Sequence, residues 1–101
     1  MNDRQLEEEI IEKGLIAPRI TLEDIENSIV AEAYYIFPDT TVTICLLTLR
    51  NGFNVMGESA CASPENFDKG GGRKVALTNA KSKIWALEGY LLKEKLSKGT
   101  L

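Results

Sequence analysis

Asn51-Gly52, set between two strand-like runs, restricts this chain more than any other feature of its sequence. Both positions accept positive φ, which makes Asn-Gly the commonest two-residue hairpin loop. The run before it, Thr40 to Leu49, is dense in Thr, Val, Ile and Leu and apolar at both parities, the pattern of a central strand covered on both faces. A two-residue loop pairs Arg50 with Phe53, so that residue numbers across the ladder sum to 103. Val42, Ile44, Leu46, Thr48, Val55, Gly57, Ser59 and Cys61 then share one face; Thr43, Cys45, Leu47, Leu49, Asn54, Met56, Glu58 and Ala60 share the other. In that register Cys45 and Cys61 point apart, which excludes a disulfide between them.

Helical signals flank the hairpin. Thr21 can cap, Asp24 stands at the third helical position to complete a capping box, and Ile20 with Ile25 has the spacing of a hydrophobic staple. Leu22, Ile25, Ile29 and Ala33 continue at helical spacing, so the expected helix runs from Leu22 to about Glu32, with Tyr34 to Phe37 as a short strand or extended exit before Pro38-Asp39. Further upstream, Asp3 to Lys13 carries a thin apolar stripe of Leu6, Ile10 and Ile11 on an acidic helix that Gly14 can end. Downstream, Ser63-Pro64-Glu65 reads as the cap, first-turn proline and first-turn acid of a short helical turn. From Arg73 to about Leu96 the period is helical: Leu77, Ala80, Ile84, Leu87 and Leu91 form one stripe, with Trp85, Leu92 and Leu96 beside it. Gly89 within it costs about 1 kcal/mol relative to Ala unless it permits a close backbone approach. The expected architecture is α+β: a helix, a small antiparallel sheet built on a central hairpin, and a long C-terminal helix packing on the sheet and a partner copy. Residues 1–19 form an acidic arm or helix, and residues 20–101 a single ligand-binding domain.

With 101 residues, 44% apolar and 27% charged, the chain suits one domain near the small end of what folds alone. No stretch approaches the ~18 apolar residues of a membrane span, and the amino terminus is acidic where a secretory signal is basic and apolar. The expectation is a soluble, intracellular protein. Two cysteines and no histidine point to reduced thiols and away from zinc. The net charge of −3 conceals an asymmetry, because residues 1–33 hold nine acids against three bases. From Lys69 onward, Lys69, Arg73, Lys74, Lys81, Lys83, Lys93, Lys95 and Lys98 face only Glu88 and Glu94. This is either a solvated helix surface beside an acidic arm or a local attractor of anions. The acidic balance opposes duplex nucleic acid, whose phosphates reward cations.

The strongest chemical feature is Gly70-Gly71-Gly72-Arg73-Lys74 at the start of the long helix. Helix-start amides carry partial positive charge, and glycines let a backbone wrap closely round an anion. Cations there oppose the helix dipole by about 0.3–1 kcal/mol unless an anion compensates them. The alternative is that both side chains splay into water and the glycines merely turn the chain. Phe67 can stack on a base or anchor the loop in the core, and the Asn79 amide can read a purine edge or have no role. Enzyme templates fail on their parts: there is no histidine base, no activated thiol, no P-loop spacing, and Glu7 to Glu9 lie on an arm. No catalytic, metal or cofactor residue is assigned.

Several runs carry a resemblance: Thr40-Thr41-Val42-Thr43, Leu49-Arg50-Asn51-Gly52-Phe53, Gly57-Glu58-Ser59-Ala60-Cys61, Ser63-Pro64-Glu65-Asn66-Phe67-Asp68 and, most specifically, Lys83-Ile84-Trp85-Ala86-Leu87-Glu88-Gly89-Tyr90-Leu91-Leu92. From about Ile20 to Leu96 the chain resembles a family of small tailed-phage proteins named for gene products 49 and 66 of two phages. The type one Thoeris anti-defence proteins are similar: sponges that bind cyclic ADP-ribose isomers made by bacterial TIR-domain enzymes. The resemblance implies a non-enzymatic phage protein of the infected host's cytoplasm, dimeric or an assembly of dimers, with recessed pockets near the long helices. Some relatives also hold cyclic oligonucleotides at separate sites. It places the pocket around Phe67, Lys69, Gly70, Gly71, Gly72 and Asn79, with Arg73 and Arg50 as phosphate ligands; the helix-start reading adds Lys74 beside Arg73. The chain departs from the family pattern at Gly70-Gly71, where relatives have an acidic or apolar residue before a single glycine, so a stacking contact made there would be missing.

The leading expectation is a sponge that sequesters a cyclic nucleotide signal without cleaving it. The alternatives are a small acidic protein that inhibits a host protein through its amino-terminal arm, and a phage structural or regulatory dimer without a small ligand.

Overall fold

The computed structural model describes residues 3–12 and 17–99. Its elements are α1 (Asp3–Glu12), α2 (Leu22–Ser28), β1 (Ile29–Ile36), β2 (Val42–Leu49), β3 (Asn54–Ala60), a 3-10 turn (Pro64–Asn66) and α3 (Lys69–Lys98). The three strands form one antiparallel sheet in the order β1-β2-β3, and α3 lies across one face of it, on β3 and β2. This is the α+β architecture expected, with β2 central. The end expected for the first helix, at Lys13 and Gly14, lies outside the described residues.

α2 starts as its sequence dictates: Thr21 Oγ1 accepts from Asp24 N–H at 3.1 Å, and Asp24 Oδ2 accepts from Thr21 N–H at 2.9 Å. Ile20 packs on the cluster that holds Ile25, as the staple spacing requires. The helix is shorter than expected, ending at Ser28 rather than near Glu32, and β1 is correspondingly longer. Ile29 and Val30 open a β-prone run whose backbone groups pair with β2, and that ladder outweighs a helical spacing carried by only four residues. A bulge at Val30 absorbs one extra residue between Ile29 opposite Leu49 and Ala31 opposite Thr48.

The hairpin register also differs. Leu46 faces Met56 and Cys45 faces Gly57, so paired numbers sum to 102, one less than expected. Leu49 N–H donates to Phe53 O at 2.8 Å and Gly52 N–H to Leu49 O at 2.9 Å, which closes a three-residue loop of Arg50, Asn51 and Gly52. Only Gly52 has positive φ, +89°, and Asn51 instead uses its side chain, accepting from Phe53 N–H at 3.0 Å. This is a turn followed by a left-handed glycine, the next commonest hairpin closure.

The shift by one residue reassigns the faces of β3. Thr43, Cys45, Leu47 and Leu49 share the helix-covered face with Val55, Gly57 and Ser59; Val42, Ile44, Leu46 and Thr48 share the opposite face with Asn54, Met56, Glu58 and Ala60. Cys61 therefore falls in step with Cys45, not opposed to it. Both thiols are free because the four residues from Gly57 to Cys61 separate them by about 13 Å along the strand. The expectation that β2 is covered twice is not met within the protomer: Leu46 is 36% exposed and Met56 54%.

The core lies between sheet and helix, where Cys45, Leu47, Leu49 and Val55 meet Ala76, Ala80 and Ile84, with Ile25 closing one end. Gly57 sets the approach. A Cβ there would stand 2.2 Å from Ala76 O and from Ala80 N, so α3 rests directly on the β3 backbone. α3 begins four residues before the expected Arg73, with the glycines inside its first turn, because Asp68 rather than the glycine run supplies the N-cap. At about 45 Å it outruns strands of about 26 Å. Beyond Ile84 its apolar residues Leu87, Tyr90, Leu91 and Leu96 are exposed, and Gly89 meets nothing within 4 Å. The Ser63 hydroxyl, expected to cap the short turn, bonds the Glu65 carboxylate at 2.5 Å instead.

Candidate functional site

The residues singled out from the sequence fall into two places. Thr43, at the start of β2, lies beneath Gly72, whereas Arg50 follows the other end of β2, about 23 Å away along the strand.

At the helix start, the amides are already engaged. The Asp68 carboxylate accepts from Gly70 N–H at 3.3 Å and Gly71 N–H at 3.1 Å, and Gly72 N–H donates to Asp68 O at 2.8 Å. The chain supplies its own anion here, in the position an N-cap acid prefers. Gly72 is packed: a Cβ would lie 2.9 Å from Thr43 Oγ1 and 3.6 Å from the Phe67 ring. Phe67 is half-buried against it. Thr43 Oγ1, wholly buried below, has no hydrogen-bond partner among the described residues. Beside this turn Thr41, Cys61, Phe67, Asp68, Gly71 and Val75 line a recess of about 200 Å³. That is below the roughly 300–1,000 Å³ of pockets that enclose small ligands.

The neighbouring candidates Lys69, Arg73, Lys74 and Asn79 do not line that recess. Arg73 stands 5.4 Å over the Tyr34 ring in cation–π contact. Lys69 and Lys74 are exposed. Asn79 donates through Nδ2 to Glu58 O at 2.8 Å, covering a carbonyl on the outer edge of β3. Tyr34 is held by the sheet next to Cys45, and its hydroxyl donates to Glu32 Oε1 at 3.1 Å. Burial, with Cys45 and Glu32 nearby, pushes the Tyr34 phenol well above its ordinary range, and burial likewise raises the Cys45 thiol. Both groups hold their protons at neutral pH, so neither is poised as a nucleophile or base.

The hairpin end is roomier. A groove of about 730 Å³ runs between the lead-in to α2, the hairpin loop and the outer half of α3. Ile20, Leu49 and Leu92 contribute apolar surface, while Arg19, Arg50 and Lys95 set three cations against Asp24 and Glu88. Arg50 is anchored twice: its backbone N–H donates to Ser28 O at 3.0 Å and its Nε to Asn27 O at 2.8 Å. Those bonds join the end of α2 to the hairpin and hold the guanidinium in the groove wall. Arg19 pairs with Glu7 at 3.6 Å, and Glu7 also accepts from Leu22 N–H at 2.8 Å. With Trp85 Nε1 donating to Asp3 at 3.2 Å, the acidic helix α1 is tied to the body.

Residues 20–96 match the model of the phage protein (N4 Gp49/phage Sf6 gene 66) family. The chain belongs to that family. The match begins at Ile20 and ends near the close of α3, so it spans the sheet, the helix that covers it, the helix-start recess and the hairpin-end groove apart from Pro18 and Arg19, and leaves α1 outside. No match to the chain was found among curated proteins or among solved structures. For this family member no described helix is long and apolar enough to cross a membrane.

Of the groove's residues, the sequence marks Arg50 as a phosphate ligand and Lys95 only as one of the basic set that runs from Lys69 onward. Arg19, Asn27 and Lys95 are distant in the chain, and no local motif joins them. The available local signal was two cations, Arg19 just before the capping box and Arg50 in the hairpin loop.

Proposed function

We propose that this family member is a phage sponge of the infected cell's cytoplasm, binding a cyclic ADP-ribose-type nucleotide and releasing it unchanged. The observation that carries the reading is the hairpin-end groove, whose volume lies in the range of small-ligand pockets and whose cations converge from three separate elements. A pyrophosphate suits Arg50, whose planar fork can take two phosphate oxygens, with Arg19 and Lys95 adding charge. The aliphatic surface of Leu49 and Leu92 suits the less polar faces of base and ribose. Binding there needs no general base, and the chain has no histidine to serve as one. The helix-start set from Phe67 to Lys74, with Asn79, is the second place a nucleotide can be sought. There it must displace Asp68 or draw on a second copy, because the recess is small and its amides are engaged.

Incubation with cyclic ADP-ribose isomers, removal of free ligand and heat denaturation tests the reading. Intact nucleotide in the supernatant is expected by mass spectrometry, one per groove. Arg50→Gln removes a charge-assisted contact worth about 1.5–3 kcal/mol, so affinity should fall about 10- to 150-fold while Arg73→Gln leaves it within twofold. The opposite ranking moves the site to the helix start. Absence of retained nucleotide, or its recovery in cleaved form, overturns the sponge. Removal of residues 1–14 should spare binding, whereas an acidic decoy would lose its action with that arm.

A further inference from the structure

α1 precedes the residues that match the family, and no residue of it is fully buried. Leu6 and Ile10 line, with Ile20 and Trp85, a gap of about 140 Å³, so the apolar seam beneath α1 is not closed to the density of a core. Polar contacts help to hold the helix. Trp85 Nε1 donates to Asp3 Oδ2 at 3.2 Å, Leu22 N–H donates to Glu7 Oε2 at 2.8 Å, and Glu7 Oε1 stands 3.6 Å from Arg19 Nη2. Arg19 is the shared element, because it lines both the gap under α1 and the hairpin-end groove.

Taking that groove as the ligand site, we infer that α1 is an acidic strap: its Glu7 carboxylate occupies Arg19 until an anion in the groove takes the guanidinium, and that exchange releases α1 from the body. Arg19 already holds an anion. The pair is shielded, with 27% of the Arg19 and 22% of the Glu7 side chain exposed, so salt screens it less than an open surface pair. An incoming phosphate must displace a carboxylate from this cation. Arg50 differs, since its Nε rests on the neutral Asn27 carbonyl and its charge is not answered there.

A phosphate on Arg19 sets a second negative charge beside Glu7, and like charges at that spacing repel. The rest of the helix adds to the effect, because Asp3, Glu7, Glu8, Glu9 and Glu12 stand against Arg4 alone. Against the repulsion stand hydrogen bonds from Trp85 and Leu22 N–H and a seam that is not closed. Only chains with Arg19 free offer all three cations, so docking of α1 lowers the apparent affinity of the groove. By the same coupling, a bound anion weakens the hold on α1. The empty protein keeps its acidic helix folded back, and the loaded protein presents it to solvent.

Calorimetric titration of the full chain with a cyclic ADP-ribose isomer, and separately with inorganic pyrophosphate, tests the strap. Glu7→Gln keeps the length of the side chain and removes the competing charge, so Kd should fall about fivefold, the upper end for such a pair. Glu12→Gln removes the same charge more than a turn further along α1 and should leave Kd within about 1.5-fold. Trp85, the chain's single tryptophan, reports the strap through its bond to Asp3. Saturating pyrophosphate, which does not absorb at its wavelengths, should shift Trp85 emission to longer wavelength as water reaches the ring. A fall in Kd of less than about twofold in Glu7→Gln, an equal fall in Glu12→Gln, or an unshifted Trp85 emission overturns the strap. If pyrophosphate binds and the nucleotide does not, the sponge reading fails and the pyrophosphate titrations decide the strap by the same criteria. If neither binds wild type or Glu7→Gln, both readings fail.

Discussion

Gly57→Ala is the most demanding test of how helix and sheet meet. The added Cβ would lie 2.2 Å from Ala76 O, 2.2 Å from Ala80 N and 2.8 Å from Ala80 Cα, all of them backbone atoms that no rotamer change can move. Reaching ordinary contact at 3.4 Å means lifting α3 by about 1 Å, since 3.4 minus 2.2 is 1.2 Å. A radial gap of about 1 Å forfeits up to half the dispersion well of each contact it opens. The contacts opened belong to Ala76, Ala80 and Ile84, all wholly buried and together the α3 side of the core. Overpacking costs about 1–3 kcal/mol where side chains can yield. With backbone against backbone the expected cost is about 3 kcal/mol, a large share of the roughly 5–15 kcal/mol that stabilises a domain. At about 4–8 °C per kcal/mol, Tm should fall by about 12–24 °C. Thermal unfolding followed at 222 nm, at one fixed protein concentration, reads this directly. Gly89→Ala is the counterpart: in the same helix a Cβ meets nothing within 4 Å, so replacing glycine should raise stability by about 1 kcal/mol. If Gly57→Ala lowers Tm by less than about 4 °C, corresponding to under 1 kcal/mol, the close approach of α3 is wrong.

Asp68→Ala removes the carboxylate that holds Gly70 and Gly71 N–H; it should cost about 0.5–2 kcal/mol in urea unfolding, and Asp68→Asn, which keeps an acceptor, should recover most of it. Cys45 is wholly buried with a raised thiol pKa, so in the folded protein one thiol per chain, Cys61, should react with a disulfide reagent at pH 8, and the second only after denaturation. The absorbance change of the tyrosine that disappears in Tyr34→Phe should develop only above the ordinary phenol value of 10.0, because burial raises this group. The sign follows: a folded pKa above the unfolded one stabilises the fold fully below pH 10.0, and that contribution is lost as pH rises toward the folded value, so Tyr34→Phe should flatten the alkaline fall in stability.

The parts legible in the amino-acid order are those governed by near neighbours. The Thr21 and Asp24 capping box, the hairpin at Asn51-Gly52 and the helical period through Ile84 each depend on residues within a turn of one another, and each is present. The single-residue error in register was not local. Asn-Gly serves both a two-residue and a three-residue closure, and what separates them here is that the shorter loop would turn Gly57 toward solvent and Met56 into the helix. Only the longer loop puts the one residue without a side chain where α3 must touch the strand. The site divided for a similar reason. Asp68 lies within the run that attracted notice, yet its carboxylate rather than an external anion occupies Gly70 and Gly71, while Arg19, Arg50 and Lys95 converge through folds of the chain that no spacing rule reports.

By itself, then, the sequence determined where α2 starts, that a hairpin closes at Asn51-Gly52, that a long helix ends the fold and that β2 lies at the centre, because caps, turns and hydrophobic period act over a few residues; the stretch from Ile29 to Ala33, expected as helix, became strand. The tertiary structure alone decided which side of the sheet α3 covers, where β1 begins, and which cations share a groove. Those outcomes depend on contacts between residues tens of positions apart, whose free energy exists only once the helix has closed on Gly57.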